Sequence, residues 1–121
     1  MLLVGAGGFL GSIGRYLLGG WVHRMAPSAT FPLGTLAVNV LGCFAIGVLG
    51  GVADARHLLS AELRLLLAVG VLGGFTTFSS FAYETHALAR DAEPWRAVAN
   101  VAASVVLGLA ACWAGYALAR P

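Results

Sequence analysis

Apolar positions in this chain come in four long blocks. They run roughly from Leu2 to Trp21, from Leu33 to Ala53, from Ala61 to Ala89 and from Trp95 to Ala119. Each holds about 20 or more residues, the length that crosses the hydrocarbon core of a bilayer as a helix. The connections His23 to Pro32, Asp54 to Ser60 and Arg90 to Pro94 are short and hold most of the proline and much of the charge. Trp21, Trp95 and Trp113 lie near block ends, where interfacial aromatics gather. The first block has no basic stretch before it, so it reads as a span and not as a cleavable signal. The expected fold class is an all-α membrane protein: residues 1–121 form a single transmembrane domain of four helices in the cell membrane.

The third block breaks its own pattern. Gly70-Val71-Leu72-Gly73-Gly74-Phe75-Thr76-Thr77-Phe78-Ser79-Ser80-Phe81 places adjacent glycines, threonines and serines inside a span. Glycine costs about 1 kcal/mol against alanine in a helix interior, and hydroxyl side chains compete for the backbone. A broken backbone at membrane depth survives only where protein or a cavity surrounds it. Such breaks in transport proteins turn freed carbonyls toward cations. The stretch therefore predicts a third helix broken in mid-membrane, with an ion-handling site at the break.

Composition narrows the function classes. Of 121 residues, 60% are hydrophobic and 10% charged, and mean hydropathy is +0.88. A soluble domain carries about 25% charged residues, so no room remains for one beside the spans. The net charge of +2 is small and scattered, which argues against a nucleic-acid partner. Cys43 and Cys112 are single residues within spans and read as small buried hydrophobes. His23, His57 and His86 are scattered, and no nucleophile-base pair, phosphate loop or dinucleotide fingerprint occurs. An enzyme is not expected.

Four crossings place both termini on the side of the Asp54-to-Ser60 loop, with Arg56, Arg64 and Arg120. The other side holds Arg24, Arg90 and Arg96, with Arg15 inside the nearby end of the first span. Arginine and lysine in short loops set orientation, and here they scarcely differ between sides. Either other signals fix one direction, or the chain inserts both ways and pairs with an inverted copy. Four helices leave little interior for a pore, which favours a pathway between subunits. Gly7 with Gly11, and Gly8 with Ser12, form small-residue faces at i, i+4 that pack helices closely and favour an oligomer.

Polar residues within the spans are few. Thr35 and Asn39 share a face of the second; Thr77, Ser80 and Glu84 share one after the break. Asn100, Ser104, Gly108 and Cys112 form a stripe on the fourth. Interhelical hydrogen bonding accounts for any single hydroxyl. Asn39 demands more, because its amide brings two donors and an acceptor into the membrane. Taken together the set suits an anion path. Uncharged amide and hydroxyl donors can replace water around a small anion without holding it too tightly. Phe78 and Phe81 can present their positive ring edges, or simply pack.

Three segments then carry a resemblance: Gly7-Gly8-Phe9-Leu10-Gly11-Ser12-Ile13-Gly14-Arg15-Tyr16, Gly34-Thr35-Leu36-Ala37-Val38-Asn39-Val40-Leu41-Gly42, and Gly73 to Phe81. In order and spacing the chain resembles, over essentially its whole length, the Fluc (CrcB) family of fluoride channels. The resemblance implies an inverted, dual-topology homodimer with two pores that passively exports fluoride, which enters cells as HF. It implies that Asn39, Phe78, Phe81, Thr77, Ser79, Ser80 and Ser104 line the fluoride pore. Asn100, where some members carry tyrosine, is added to them. Arg15 resembles a vestibule arginine, with snorkelling to the interface as the alternative account. Gly73 and Thr76 match positions whose backbone carbonyls hold a structural Na+ that is not transported. A small proton-coupled four-helix exporter is the alternative function. It needs a titratable carboxylate deep in a span, and Glu84 lies toward the end of the third. A purely structural membrane protein would carry no ion flux.

Overall fold

The computed structural model describes residues 1–56 and 59–120; His57, and with it the middle of the loop after the second span, lies outside them. Described segments are helical or irregular, with no strand among them. The helices are α1 (Leu2–Met25), α2 (Leu33–Arg56), α3 (Ala61–Arg64), α4 (Gly73–Phe75), α5 (Phe78–Arg90) and α6 (Pro94–Ala119), with a π-helical segment, Leu65–Leu72, between α3 and α4. Among the described residues four crossings are long and apolar enough for a membrane: Leu2–Met25, Leu33–Asp54, Ala61–Arg90 and Pro94–Ala119. Helix α1 runs on to Met25 where the apolar block stops at Trp21, because Val22 still accepts the capping N–H of Ala26.

Glycine decides how the helices meet. A Cβ built on Gly7 would press on the carbonyl of Leu66 and the backbone of Gly70, and one on Gly11 would overlap the carbonyl of Val71. Gly74 lies against the backbone of Gly8. This close approach runs α1 parallel to the π segment and α4, backbone on backbone, the contact that small residues permit in lipid. Helix α2 runs parallel to α6 in the same manner: Gly47 seats the carbonyl of Cys112, Gly115 that of Phe44, and Gly51 that of Tyr116. That pair is the most extensive interface among the described elements. Gly34 meets Gly19 where α1 turns back into α2.

The Gly7–Gly11 face packs helices closely, as its spacing predicts, and does so within the chain against the third span. One expectation is corrected. Gly73 and Gly74 do not make the break: both are helical, and Gly74, like Gly70 before it, serves contact with α1. The backbone leaves the helix at Thr76 (φ −80°, ψ 155°) and Thr77 (φ −148°, ψ 110°). Extended geometry suits β-branched residues.

Polar staples close the two ends. At one, the Tyr116 hydroxyl donates to Asp54 Oδ2 at 2.9 Å. At the other, Arg96 pairs with Glu93 at 2.9 Å, donates to the Thr30 hydroxyl and lies 5.5 Å over the Trp95 ring.

Candidate functional site

The site is built around the break. A helix interrupted in mid-membrane leaves N–H and C=O groups with no water to satisfy them, at several kcal/mol each. Asn39 answers for one residue's worth. Its Oδ1 accepts from the Thr77 N–H at 2.8 Å, and its Nδ2 donates to the Thr77 carbonyl at 3.0 Å. The amide thus pairs with Thr77 as a neighbouring β-strand would, which splints the extended residue to α2. One Nδ2 hydrogen is left over for a guest.

Thr76 and Thr77 divide the remaining work. The Thr76 N–H and hydroxyl both donate to the Leu72 carbonyl at 3.0 Å, and its methyl sits where Gly42 has no Cβ. Thr77 caps α5: its hydroxyl accepts from Ser80 N–H at 3.2 Å, donates to Ser80 Oγ at 3.1 Å and lies 3.3 Å from Ser79 Oγ. Such a cap satisfies one orphan donor of the helix start. No hydrogen bond to the carbonyl oxygens of Gly73 or Thr76 occurs among the described residues.

Two cavities open on either side of Thr77. The first, about 420 Å³, is an apolar groove that contains Asn39, Thr77, Phe78, Phe81 and Ser104, with Gly73 and Thr76 along one wall. The Phe78 and Phe81 rings are 5.4 Å apart and tilted by 46°, and Phe78 is 79% exposed. Among the described residues no acidic or basic side chain lines this groove. The second cavity, about 460 Å³, is lined by Ser12, Arg15, Tyr16, Thr35, Thr77 and Ser80, among others. No ion pair to Arg15 occurs among the described residues. One hydroxyl stretch therefore separates a cavity that contains Arg15 from a groove without a charged side chain among the described residues.

The comparisons with known proteins agree along the whole chain. The family model described as CrcB-like protein, Camphor Resistance (CrcB), matches residues 2–116. The chain belongs to the CrcB family. A relative from Geobacter sulfurreducens, named fluoride-specific ion channel FluC, is 51% identical over 120 residues, covering 99% of this chain and 96% of its own. One of the same name from Solibacter usitatus is 50% identical, covering 98% and 97%. Another, from Rhizobium etli, is 49% identical, covering 98% and 94%. These CrcB relatives are named as channels and not as enzymes, and with its four apolar crossings this chain is a multi-pass protein of the cell membrane.

The expected site residues do not all meet in this CrcB fold. Asn39, Thr77, Phe78, Phe81 and Ser104 share the groove with Gly73 and Thr76. Ser80 and Arg15 share the second cavity. Ser79 is exposed at the start of α5, beside Thr77. Asn100 lines neither cavity: it is 2% exposed and donates to Thr85 Oγ1 at 2.9 Å. Glu84 accepts from the Thr35 hydroxyl at 2.7 Å and faces a third cavity, of about 220 Å³, beside His23. Cys43, read as buried packing, forms part of the groove wall. Sequence reasoning missed Thr85 and the role of Gly42. Thr85 sits one turn beyond Phe81 and two beyond Thr77, a spacing that marks the same face of α5. Gly42 follows Asn39 by three residues, close enough to flank it on α2.

Proposed function

We propose that this protein is a fluoride-selective channel that passively exports fluoride across the cell membrane and lowers its toxicity, with the ion path along the Asn39–Phe81 groove. The observation that carries the reading is the make-up of that groove: an amide, three hydroxyls and two tilted aromatic rings, with no charged side chain. Its relatives' name as fluoride-specific channels supports the same ion. Helix α5 begins at the groove, so the N–H groups of Phe78 and Ser79 are its orphan donors, and its positive dipole end favours an anion. Neutral donors replace part of the hydration shell while leaving the ion free to depart. Arg15 in the adjoining vestibule raises the local anion concentration without gripping the ion in the groove.

The finer assembly is part of the proposal. Two chains in inverted orientation form a homodimer, each covering the other's open groove. The 79% exposure of Phe78 in the single chain supports a covering partner. The paired breaks bring the Gly73 and Thr76 carbonyls of both chains around one structural Na+ on the dimer axis. Oxygen dipoles of this kind suit a hard cation, and both carbonyls lack another partner among the described residues. Gly73 supports it too, since a Cβ there would meet nothing of its own chain closer than 3.9 Å. The exporter reading would place its proton carrier at Glu84, which lines a different cavity from the groove.

Fluoride efflux from liposomes containing the purified protein, followed with a fluoride electrode and with chloride as the control anion, tests the reading. Rapid fluoride release with negligible chloride release is expected. Release that requires a proton gradient would replace the channel with the exporter. No release of either ion would overturn both.

A further inference from the structure

Asn100 is a fully buried polar side chain at 2% exposure, on a helix expected to contribute pore groups. Its partner is Thr85, and the chain of bonds continues. Asn100 Nδ2 donates to Thr85 Oγ1 at 2.9 Å, and Thr85 Oγ1 donates to the Phe81 carbonyl at 2.7 Å. A threonine hydroxyl has one hydrogen. With Asn100 donating to the oxygen, that hydrogen is directed onto Phe81. Back-bonding of this kind to the i−4 carbonyl shares the helix's own acceptor and ties the side chain to that turn. The carbonyl it holds is that of Phe81, whose ring forms the groove wall.

Helix α6 therefore meets Phe81 twice. Asn100 reaches its carbonyl through Thr85, and Ser104, one turn further along the same face, shares the groove with its ring. We infer that Asn100, acting through Thr85, is a positioning residue that sets the tilt of the Phe81 ring relative to Ser104, and with it the selectivity of the groove. This rests on the reading that the groove conducts fluoride. It gives Asn100 a role behind the wall instead of in it.

The test has two readouts. 4-Fluorophenylalanine placed at position 81 reports ring environment by fluorine NMR whether or not the protein conducts. Efflux from liposomes reports fluoride rate and the fluoride-to-chloride ratio. Asn100→Leu and Thr85→Val should each shift the fluorine resonance, slow fluoride efflux about five- to tenfold, the loss one buried hydrogen bond carries, and lower the ion ratio. The double variant should be no slower than the slower single one, and in a Phe81→Ile background neither should add a loss. Thr85→Ser, which keeps the hydroxyl, should restore resonance and rate. If Asn100→Leu does not assemble, Thr85→Val breaks the same bond without adding bulk. An unmoved resonance in either variant, or losses that multiply with each other and with Phe81→Ile, would overturn the inference. Absent fluoride flux in the unmodified protein would remove the conduction reading, and the resonance test would still decide the clamp.

Discussion

The substitution Asn39→Asp separates the splint from the path in one atom. The carboxylate keeps the acceptor for the Thr77 N–H, now 2.8 Å from Oδ1. It places a second oxygen where Nδ2 donates to the Thr77 carbonyl at 3.0 Å. One hydrogen bond is lost, about 1 kcal/mol, and a carbonyl at membrane depth is left unsatisfied, about 1–3 kcal/mol more. The sum, about 2–4 kcal/mol, is serious against a total stability of about 5–15 kcal/mol but leaves a folded population. The charge acts on the path separately. A carboxylate about 4 Å from a passing anion, at an effective dielectric near 20, opposes it by about 4 kcal/mol, or about a thousandfold in rate. Fluoride efflux from liposomes should therefore fall to background, while size-exclusion profiles still show assembled protein. Thermal unfolding in detergent reads the splint: the variant should be less stable than the unmodified protein by that sum of about 2–4 kcal/mol. Near-normal fluoride efflux from assembled Asn39→Asp would refute the pore assignment, and an unchanged unfolding midpoint would refute the splint.

Other outcomes follow from the same geometry. Gly7→Ala should destabilise by about 1–3 kcal/mol, since its Cβ meets the backbone of Gly70 and Leu66, whereas Gly8→Ala, with nothing within 4 Å, should be neutral or gain about 0.5–1 kcal/mol; unfolding midpoints compare them. Phe78→Ile and Phe81→Ile should each slow fluoride efflux by removing the aromatic edge while keeping bulk, and unchanged rates in both would reduce the rings to packing. Two arginines added between Asp54 and Ser60 should bias insertion to one direction and abolish activity alone, with recovery on co-expression with a partner biased by arginines near Arg24; full activity alone would sink dual topology. Replacing all sodium by a large organic cation should weaken the dimer and the flux, while a sodium tracer should not travel with fluoride.

Sequence alone determined the membrane setting, the four crossings and the stretch from Gly70 to Phe81 that holds a break, because apolar block length and a run of glycines and hydroxyls act locally through bilayer thickness and backbone satisfaction. It also singled out Asn39, since an amide at that depth must find partners wherever the chain leads. It did not determine what those partners are. That Asn39 pairs with the backbone of Thr77 depends on α2 and the third crossing meeting at one level, and that level is set by glycine contacts between helices far apart in sequence. The same packing decided that Gly70 and Gly74 serve α1 and not the break, that Ser80 joins Arg15 while Phe81 joins Ser104, and that Asn100 turns to Thr85. A residue's type states which bonds it must make; only the approach of the neighbouring helices, fixed by backbone-on-backbone contact at glycines, states with whom.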